Sequence, residues 1–257
     1  MLERFANAKA AEIAALEDMQ ARGALPAPYA GPRPPFVERL VQHGPGAVIA
    51  EYKRASPSRG DIAPHLRARD VAEAYARGGA AAMSVLTEAD HFRGKLEFLG
   101  EACASGLPLL RKDFILHPLQ LVQTAATPAS AVLLIARMVD VDRLAELLTL
   151  CRDLRLTPVT EVFDADDLAR ARTAGARLIQ VNNRDLDTLD VDVQTSRTLI
   201  ERKQSGELWV SASGITTHQQ VSELAGLGYD AVLVGTFLME GGDPAGALRR
   251  LTTGGAS

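Results

Sequence analysis

The sequence carries no large excess of either charge, few cysteines and no long apolar run, and each shortage removes a class of function. Lysine and arginine number 28 against 32 aspartates and glutamates, a formal net charge of −4. There is therefore no global basic field to hold nucleic acid, although net charge says nothing about a single cationic cleft. Cysteine occurs only at Cys103 and Cys151, far apart and both inside helical patterns. These read as reduced core thiols, and no metal-ligand spacing accompanies them. Residues 1–22 mix charges throughout and have no apolar signal-peptide core, and no later segment has the length of a membrane span. The expectation is a soluble cytoplasmic protein with neither a membrane nor a nucleic-acid partner. A dinucleotide-binding glycine fingerprint is missing after the first strand pattern, and no internal repeat larger than a strand–helix unit is evident.

What the chain does have is enough apolar material, 47% of 257 residues, to bury a large core. That length fits two domains or one α/β barrel. The stretch that organises the rest is A-V-I-A-E-Y-K-R-A-S-P-S-R-G, from Ala47 to Gly60. It opens as a buried strand, and alternation places Ile49, Glu51 and Lys53 on one face. A charged pair on that face is expensive to bury unless it pairs or does chemistry. Ser56, Pro57, Ser58, Arg59 and Gly60 follow as a loop suited to an anion. The competing reading is a surface strand with an ordinary turn after it.

Residues Leu2 to Arg22 read as an amphipathic helix with Leu2, Phe5, Ile13 and Leu16 on one stripe. A Pro/Gly stretch, Pro26 to Pro35, runs extended across the surface, and a short helix around Phe36, Val37, Leu40 and Val41 precedes a turn at His43 to Gly46. From Ala47 onward strand-like runs recur near Val48, Met83, Leu109, Leu133, Val159, Ile179, Val210 and Val232, at spacings suited to strand-plus-helix units. Between them lie helix signals: Asp140 and Asp164 as caps, Gly175 as a stop, Thr216 or Thr217 as a start with Gly226 as its stop, and Pro244 in a first turn. Eight such alternations predict a single α/β (β/α)8 barrel over residues 47–257, with residues 1–46 as a helical N-terminal extension packed on it or capping one end.

Active sites of such barrels sit at the C-terminal strand ends. Those ends supply Glu51 and Lys53; Ser84 and Thr87; Arg111, Lys112 and Asp113; Arg137; Thr160 and Glu161; Asn182, Asn183, Arg184 and Asp185; Ser211 and Ser213; and Thr236. Glu161 reads as functional over a helix cap, and Lys112 as functional too. Alternation turns Asp113 away from Lys112, which makes it a structural ion-pair partner. The glycines in S-G-I (Ser213 to Ile215) and V-G-T (Val234 to Thr236) let backbone N–H groups approach an anion, and Ser56 completes a phosphate site, since the eighth strand closes beside the first.

These motifs together resemble the indole-3-glycerol-phosphate synthase family of tryptophan biosynthesis. The likeness covers almost the whole chain: R-F-A-N-A-K-A-A-E-I near the start, I-A-E-Y-K-R-A-S-P-S-R-G, S-V-L-T-E, R-K-D-F-I, T-E-V, N-N-R-D-L, S-G-I and V-L-V-G-T. The resemblance implies a (β/α)8 barrel that closes the ring of 1-(2-carboxyphenylamino)-1-deoxyribulose 5-phosphate with loss of CO2 and water, needing no organic cofactor and no metal. It implies Lys112 as general acid, Lys53 paired with Glu51 to bind carboxylate or shuttle protons, Glu161 as general base and Asn182 orienting the intermediate. By the same resemblance Arg184 is expected to approach the substrate carboxylate. The resemblance further implies that Phe92, Phe114 and Leu133 wall the aromatic ring, that Ser56, Ser213, Gly214, Gly235 and Thr236 hold the phosphate, and that Ser84 adds a further substrate contact. A monomer or weak homodimer is expected.

Three positions depart from the family's habit. Ala212 stands where S-E-S-G-I usually supplies a glutamate, Gln180 stands where a small glycine is common, and Lys95 replaces a serine or similar residue. They keep open two alternatives to the synthase: a paralogue acting on a related arylamino sugar phosphate or indole compound, and a catalytically weak barrel kept as a binding subunit.

Overall fold

The computed structural model describes residues 2–57, 59–185 and 188–254. The side chain of Leu2, and Ser58 and Leu186 within the motifs above, lie outside the described residues. Eight parallel strands close into a barrel: β1 (Ala47–Tyr52), β2 (Ala82–Leu86), β3 (Leu109–Lys112), β4 (Ala131–Ile135), β5 (Thr157–Val162), β6 (Leu178–Asn182), β7 (Leu208–Ala212) and β8 (Ala231–Val234). Neighbours in sequence are neighbours in the ring, and β8 returns to pair with β1, Ala47 opposite Ala231 and Ala50 opposite Val234. Each run expected from the sequence contains its strand.

Helices α1 (Leu2–Ala21) and α2 (Phe36–His43) precede the barrel. Around it follow α3 (Ala68–Gly78), α4 (Glu97–Ala102), α5 (Pro118–Ala125), α6 (Val141–Asp153), α7 (Ala165–Thr173), α8 (Gln194–Leu199), α9 (His218–Leu227), α10 (Thr236–Met239) and α11 (Pro244–Thr253). Capping sets many of their starts. Asp140 accepts from Arg143 N at 2.8 Å, Asp164 accepts from Asp167 N at 2.8 Å, and Thr217 forms a capping box with Gln220. These bonds satisfy N–H groups that a first helical turn leaves without partners. The stop of α9 differs from expectation. Gly226 stays helical, and the chain leaves the helix at Gly228 (φ 108°), whose N–H returns to the carbonyls of Leu224 and Ala225.

Strand alternation divides the apolar residues into two compartments. Ile49, Leu110, Leu133, Val159, Leu178, Val210 and Leu233 fill the barrel interior. Their neighbours Val48, Val132, Leu134, Ile179, Trp209 and Val232 face the helices and pack with Leu144, Leu148, Leu168, Leu224 and Leu248. Phe36 and Leu40 of α2 join the interior group beside Ala47, Ala82, Ala131 and Ala231 at strand starts, so α2 covers the end opposite the strand termini. Cys151 is buried as expected, but Cys103 is only half-buried. The chain turns out of α4 there, and Tyr29 of the Pro-rich segment meets the thiol at 3.5 Å. That segment also sets the Arg33 guanidinium on the carbonyls of Ala125 and Thr127, a cation at the C-terminal end of α5.

The extension is tied to the barrel through charge. Asp113, after β3, is buried and accepts from Thr87 Oγ1 (2.6 Å), from Arg111 Nη2 (3.0 Å) and from Lys9 Nζ of α1 (2.5 Å). Burial pushes the Asp113 carboxyl up, but the fields of Arg111 and Lys9 outweigh it and hold the group below the usual carboxylate range. One turn before Lys9, Phe5 stacks on Phe114 with ring centroids 4.3 Å apart. Replacing Asp113 by Asn leaves Lys9 and Arg111 buried with only the partly exposed Glu12 as counter-charge, a change of up to about 3–5 kcal/mol. Guanidinium denaturation of Asp113→Asn should read that loss at neutral pH. Because the folded carboxyl lies below its unfolded value of roughly 4, the stabilisation is complete above that value and is lost as the pH falls through the folded one. The variant should therefore lose less stability than the parent on acidification. Stability within about 0.5 kcal/mol of the parent would show that the ion cluster is not what fastens α1.

Candidate active site

A cavity of about 290 Å³ opens at the C-terminal ends of the strands, and its wall draws residues from almost the whole chain. Glu51, the last inward-facing residue of β1, is 3% exposed, and its Oε1 lies 2.8 Å from Lys53 Nζ. Burial works to raise the Glu51 carboxyl, but Lys53, Lys112 and Arg184 together hold it below the usual range, so this cluster of charges is electrostatically one unit. Lys112 ends β3 facing inward and sets its Nζ 3.9 Å from Glu161 Oε2. Glu161, on β5, is 1% exposed and pairs in register with Ile135 and Gln180.

The loops after β6 and β7 are held by a separate set of bonds. Asn182 Oδ1 accepts from Arg184 N (3.0 Å) and Ser213 Oγ (2.9 Å). The Arg184 side chain donates to the Leu189 carbonyl at 2.6 Å, and burial lowers its pKa while Glu51 opposes that shift. Asn183 faces outward, where it binds Ser211 Oγ (3.3 Å), the Ser213 carbonyl (3.0 Å) and Ser196 N (3.0 Å). Two non-glycine residues in the cavity wall take left-handed backbone conformations, Leu189 (φ 66°) and Ser213 (φ 72°). Such conformations persist where the surroundings over-determine them.

Two glycines are bare for steric reasons. Gly214 has φ 80°, and a Cβ there would press into Val191. A Cβ on Gly235 would run into the carboxylate of Glu51. Glycine at the end of β8 is therefore what lets β1 present a buried acid.

Among the residues singled out from the sequence, the cavity wall gathers Glu51, Lys53, Ser56, Phe92, Lys112, Phe114 and Leu133 from the first half of the chain. From the second half it takes Glu161, Asn182, Arg184, Ser213, Gly214, Gly235 and Thr236. Ser84 is placed elsewhere. It is fully buried inside the barrel, paired with Glu51 and Leu110, does not line the cavity, and its Oγ has no hydrogen-bond partner. Arg111, Thr87, Arg137 and Thr160 are also withdrawn from the cavity wall. Arg111 binds Glu12, Asp113 and Thr124, and Arg137 pairs with Asp164 and Asp167. Among the described residues no cluster of three or more His, Cys, Asp or Glu side chains is placed to hold a metal ion, and no helix is long and apolar enough to cross a membrane.

Two amines and two carboxylates around one cavity can donate and accept protons at a bound carbonyl. Comparison with known proteins narrows the chemistry. The family model for indole-3-glycerol phosphate synthase matches residues 2–251. The chain belongs to the indole-3-glycerol phosphate synthase family. Curated synthases of that name from Desulfosudis oleivorans and Desulforamulus reducens are 43% and 41% identical to it. The first alignment covers 85% of each chain, the second 86% of this chain and 84% of the relative. Solved structures carry the fold further out. The barrel of 3-hexulose-6-phosphate synthase from Salmonella typhimurium superposes with a TM-score of 0.62 at 19% identity, covering 80% of this chain and 96% of its own.

Seen as a synthase site, the cavity contains residues that the strand-end reading passed over. Phe5 reaches it from α1, and Glu88 sits in its wall, accepting from the backbone N–H groups of His91 (2.8 Å) and Phe92 (3.1 Å). Arg59 pairs with Glu240 (3.0 Å) at the rim. Glu88 was visible as the last letter of S-V-L-T-E, whereas nothing near Phe5 in sequence distinguishes it from any other buried helix residue.

The Gly235 contact gives a test within the synthase reaction. Gly235→Ala forces the Glu51 carboxylate off its place against β8 and away from Lys53, and a displacement of that size can lower turnover by up to about a hundredfold. The melting temperature should fall as well, because a buried carboxylate is drawn from its counter-charge, so turnover is measured well below the transition, where the variant is folded. Parent-like formation of indole-3-glycerol phosphate by Gly235→Ala would mean that Glu51 does not need this seat.

Proposed function

We propose that the protein converts 1-(2-carboxyphenylamino)-1-deoxyribulose 5-phosphate into indole-3-glycerol phosphate, releasing CO2 and water, with Lys112 as general acid and Glu161 as general base. The observation that carries this reading is the convergence of Lys53, Lys112, Glu51 and Glu161, distant in sequence, on one cavity whose far wall is apolar. Lys112 protonates the ketone oxygen and makes its carbon electrophilic toward the aromatic ring. Lys53, fixed by Glu51 at 2.8 Å, and Arg184 receive the substrate carboxylate. After ring closure that carboxylate leaves as CO2, its electrons flowing into the protonated imine. Glu161 then removes the proton that allows water to depart, and Asn182 orients the intermediate.

The aromatic ring lies against Phe92, Phe114 and Leu133, with Phe5 behind Phe114. Backbone N–H groups at Gly214, Gly235 and Thr236, with Ser56 and Ser213, hold the phosphate. Anchoring the phosphate away from the reacting carbon supplies orientation. In this reading residues 1–46 are an extension that completes the cavity. The protein works in the cytoplasm on a small phosphate ester, as a monomer or weak homodimer.

A second reading is favoured by one feature. Ala212 lines the cavity together with Leu133, Ile135 and Leu233, a run of apolar floor at the position where the resemblance implies a glutamate. A paralogue acting on a related arylamino sugar phosphate would present such a floor. Purified protein incubated with the carboxyphenylamino deoxyribulose phosphate, followed by indole fluorescence, separates the two. The parent should form product, and Lys112→Ala should lose on the order of 10² to 10⁴ in turnover. Ala212→Glu should remain active if the synthase reading is right. Abolished turnover in that variant would mark a site retuned for another substrate, and an inactive parent would overturn the synthase reading outright.

A further inference from the structure

We infer that Gln180 is a positioning residue for Glu161, holding one oxygen of its carboxylate from beneath the cavity floor so that the other is free to take a proton. This rests on the reading of Glu161 as general base and adds to it a side chain that never touches substrate. Gln180 faces the barrel interior in the middle of β6, is fully buried, and does not line the cavity. Its register partners are Glu161 on β5 and Val210 on β7. Its Nε2 donates to Glu161 Oε2 at 2.5 Å.

Lys112 Nζ approaches that same Oε2, at 3.9 Å. Both contacts therefore fall on one oxygen, and among the described residues no hydrogen bond or ion pair reaches Oε1 of this cavity-lining carboxylate. The amide orientation follows from charge, because turning the Gln180 carbonyl toward an ionised carboxylate would set two acceptors against each other.

Packing alone does not call for glutamine here. The inward-facing neighbours are Val159, Leu178 and Val210, and the Gln180 Oε1 is buried with no hydrogen-bond partner. An unsatisfied buried polar atom in a native core asks for a functional reason. The donor on the other arm of the amide supplies one.

The charged and titratable groups that share the cavity with Glu161 are Lys112 on β3 and Asp113 just after it (paired with Lys9 and Arg111), Glu51 and Lys53 at β1, Arg184 after β6 and Glu88 after β2, with the Arg59–Glu240 pair at the rim. The wall from β4, β7 and β8 is Leu133, Ile135, Ala212, Ser213 and Leu233, which adds none.

The test is Gln180→Met, which keeps the volume and removes both the donor and the orphaned carbonyl, with Gln180→Leu as a second apolar variant. Each is measured for thermal stability, KM and single-turnover rate against pH. We expect stability equal to or above the parent's, KM within about twofold and a rate lowered by about tenfold. The acid limb should move to higher pH, since a donor to a carboxylate favours its ionised form. A filler role for Gln180 would reverse the pattern, lowering stability and leaving the limb in place. Parent-like pH profiles in whichever variant folds would overturn the inference, as would failure of both to fold. Glu161→Gln, assayed alongside, separates the two levels. If it stays active, the general-base reading falls and this inference falls with it. If it is inactive while the Gln180 variants behave as the parent, only the inference falls.

Discussion

Glu51 places a carboxylate with almost no access to water at the end of the first barrel strand, and much of the site is arranged around compensating it. Lys53 supplies the nearest cation, and Lys112 and Arg184 add their fields from β3 and the loop after β6. Those three cations surround Glu51 and Glu161 and offer partners to an anion, while Glu88 and Asp113 in the same wall are committed to backbone N–H groups and to Arg111 and Lys9. The glycine at the end of β8 belongs to the same arrangement, because any side chain there would evict the acid. Positions that look independent in sequence, one on each side of the ring's closure, are coupled through a single carboxylate.

The outside of the same barrel solves the opposite problem. On β3 and just beyond it, alternation sends Arg111 outward and Lys112 inward, and Asp113, at the edge of the cavity wall, turns its carboxylate to Arg111, so three consecutive charged residues serve two compartments. The outward pair recruits Lys9 and Glu12 from α1, and that fixes the helix closely enough for Phe5 to reach the cavity wall. A structural ion cluster and an active-site lysine thus sit back to back on one strand. What fastens the N-terminal helix also shapes the apolar side of the site.

Much of this was legible in the sequence, for a physical reason. A parallel barrel repeats one rule eight times, strand then helix, and the strand ends collect at one rim. Knowing the rule places Glu51, Lys112, Glu161 and Asn182 together without any contact information. The same rule turned Asp113 away from Lys112. It failed where a side chain's fate depends on a partner far along the chain. Ser84 lies at the level of Glu51 in the register, yet the strands' stagger leaves it inside the barrel below the cavity. Phe5 and the thiol of Cys103 were settled by segments that only the folded chain brings near. Gly226 and Gly228 are both able to end a helix, and which one does is decided by where the left-handed turn returns its N–H groups.

The floor of the cavity brings the charge argument to its most specific point. A carboxylate at position 212 would add a further negative group beside Glu51 and Glu161 in a pocket that has to receive a phosphate and a carboxylate, and would draw on the same cations that now compensate Glu51. Ala212 adds no charge, and Gln180 contacts Glu161 with a neutral donor from below, at the expense of leaving its own carbonyl unpaired. An amide can orient a base without competing for its cations, which an acid cannot do. The two residues are thus physically complementary: Ala212 adds no negative charge to the floor, and Gln180 supports the base without adding any.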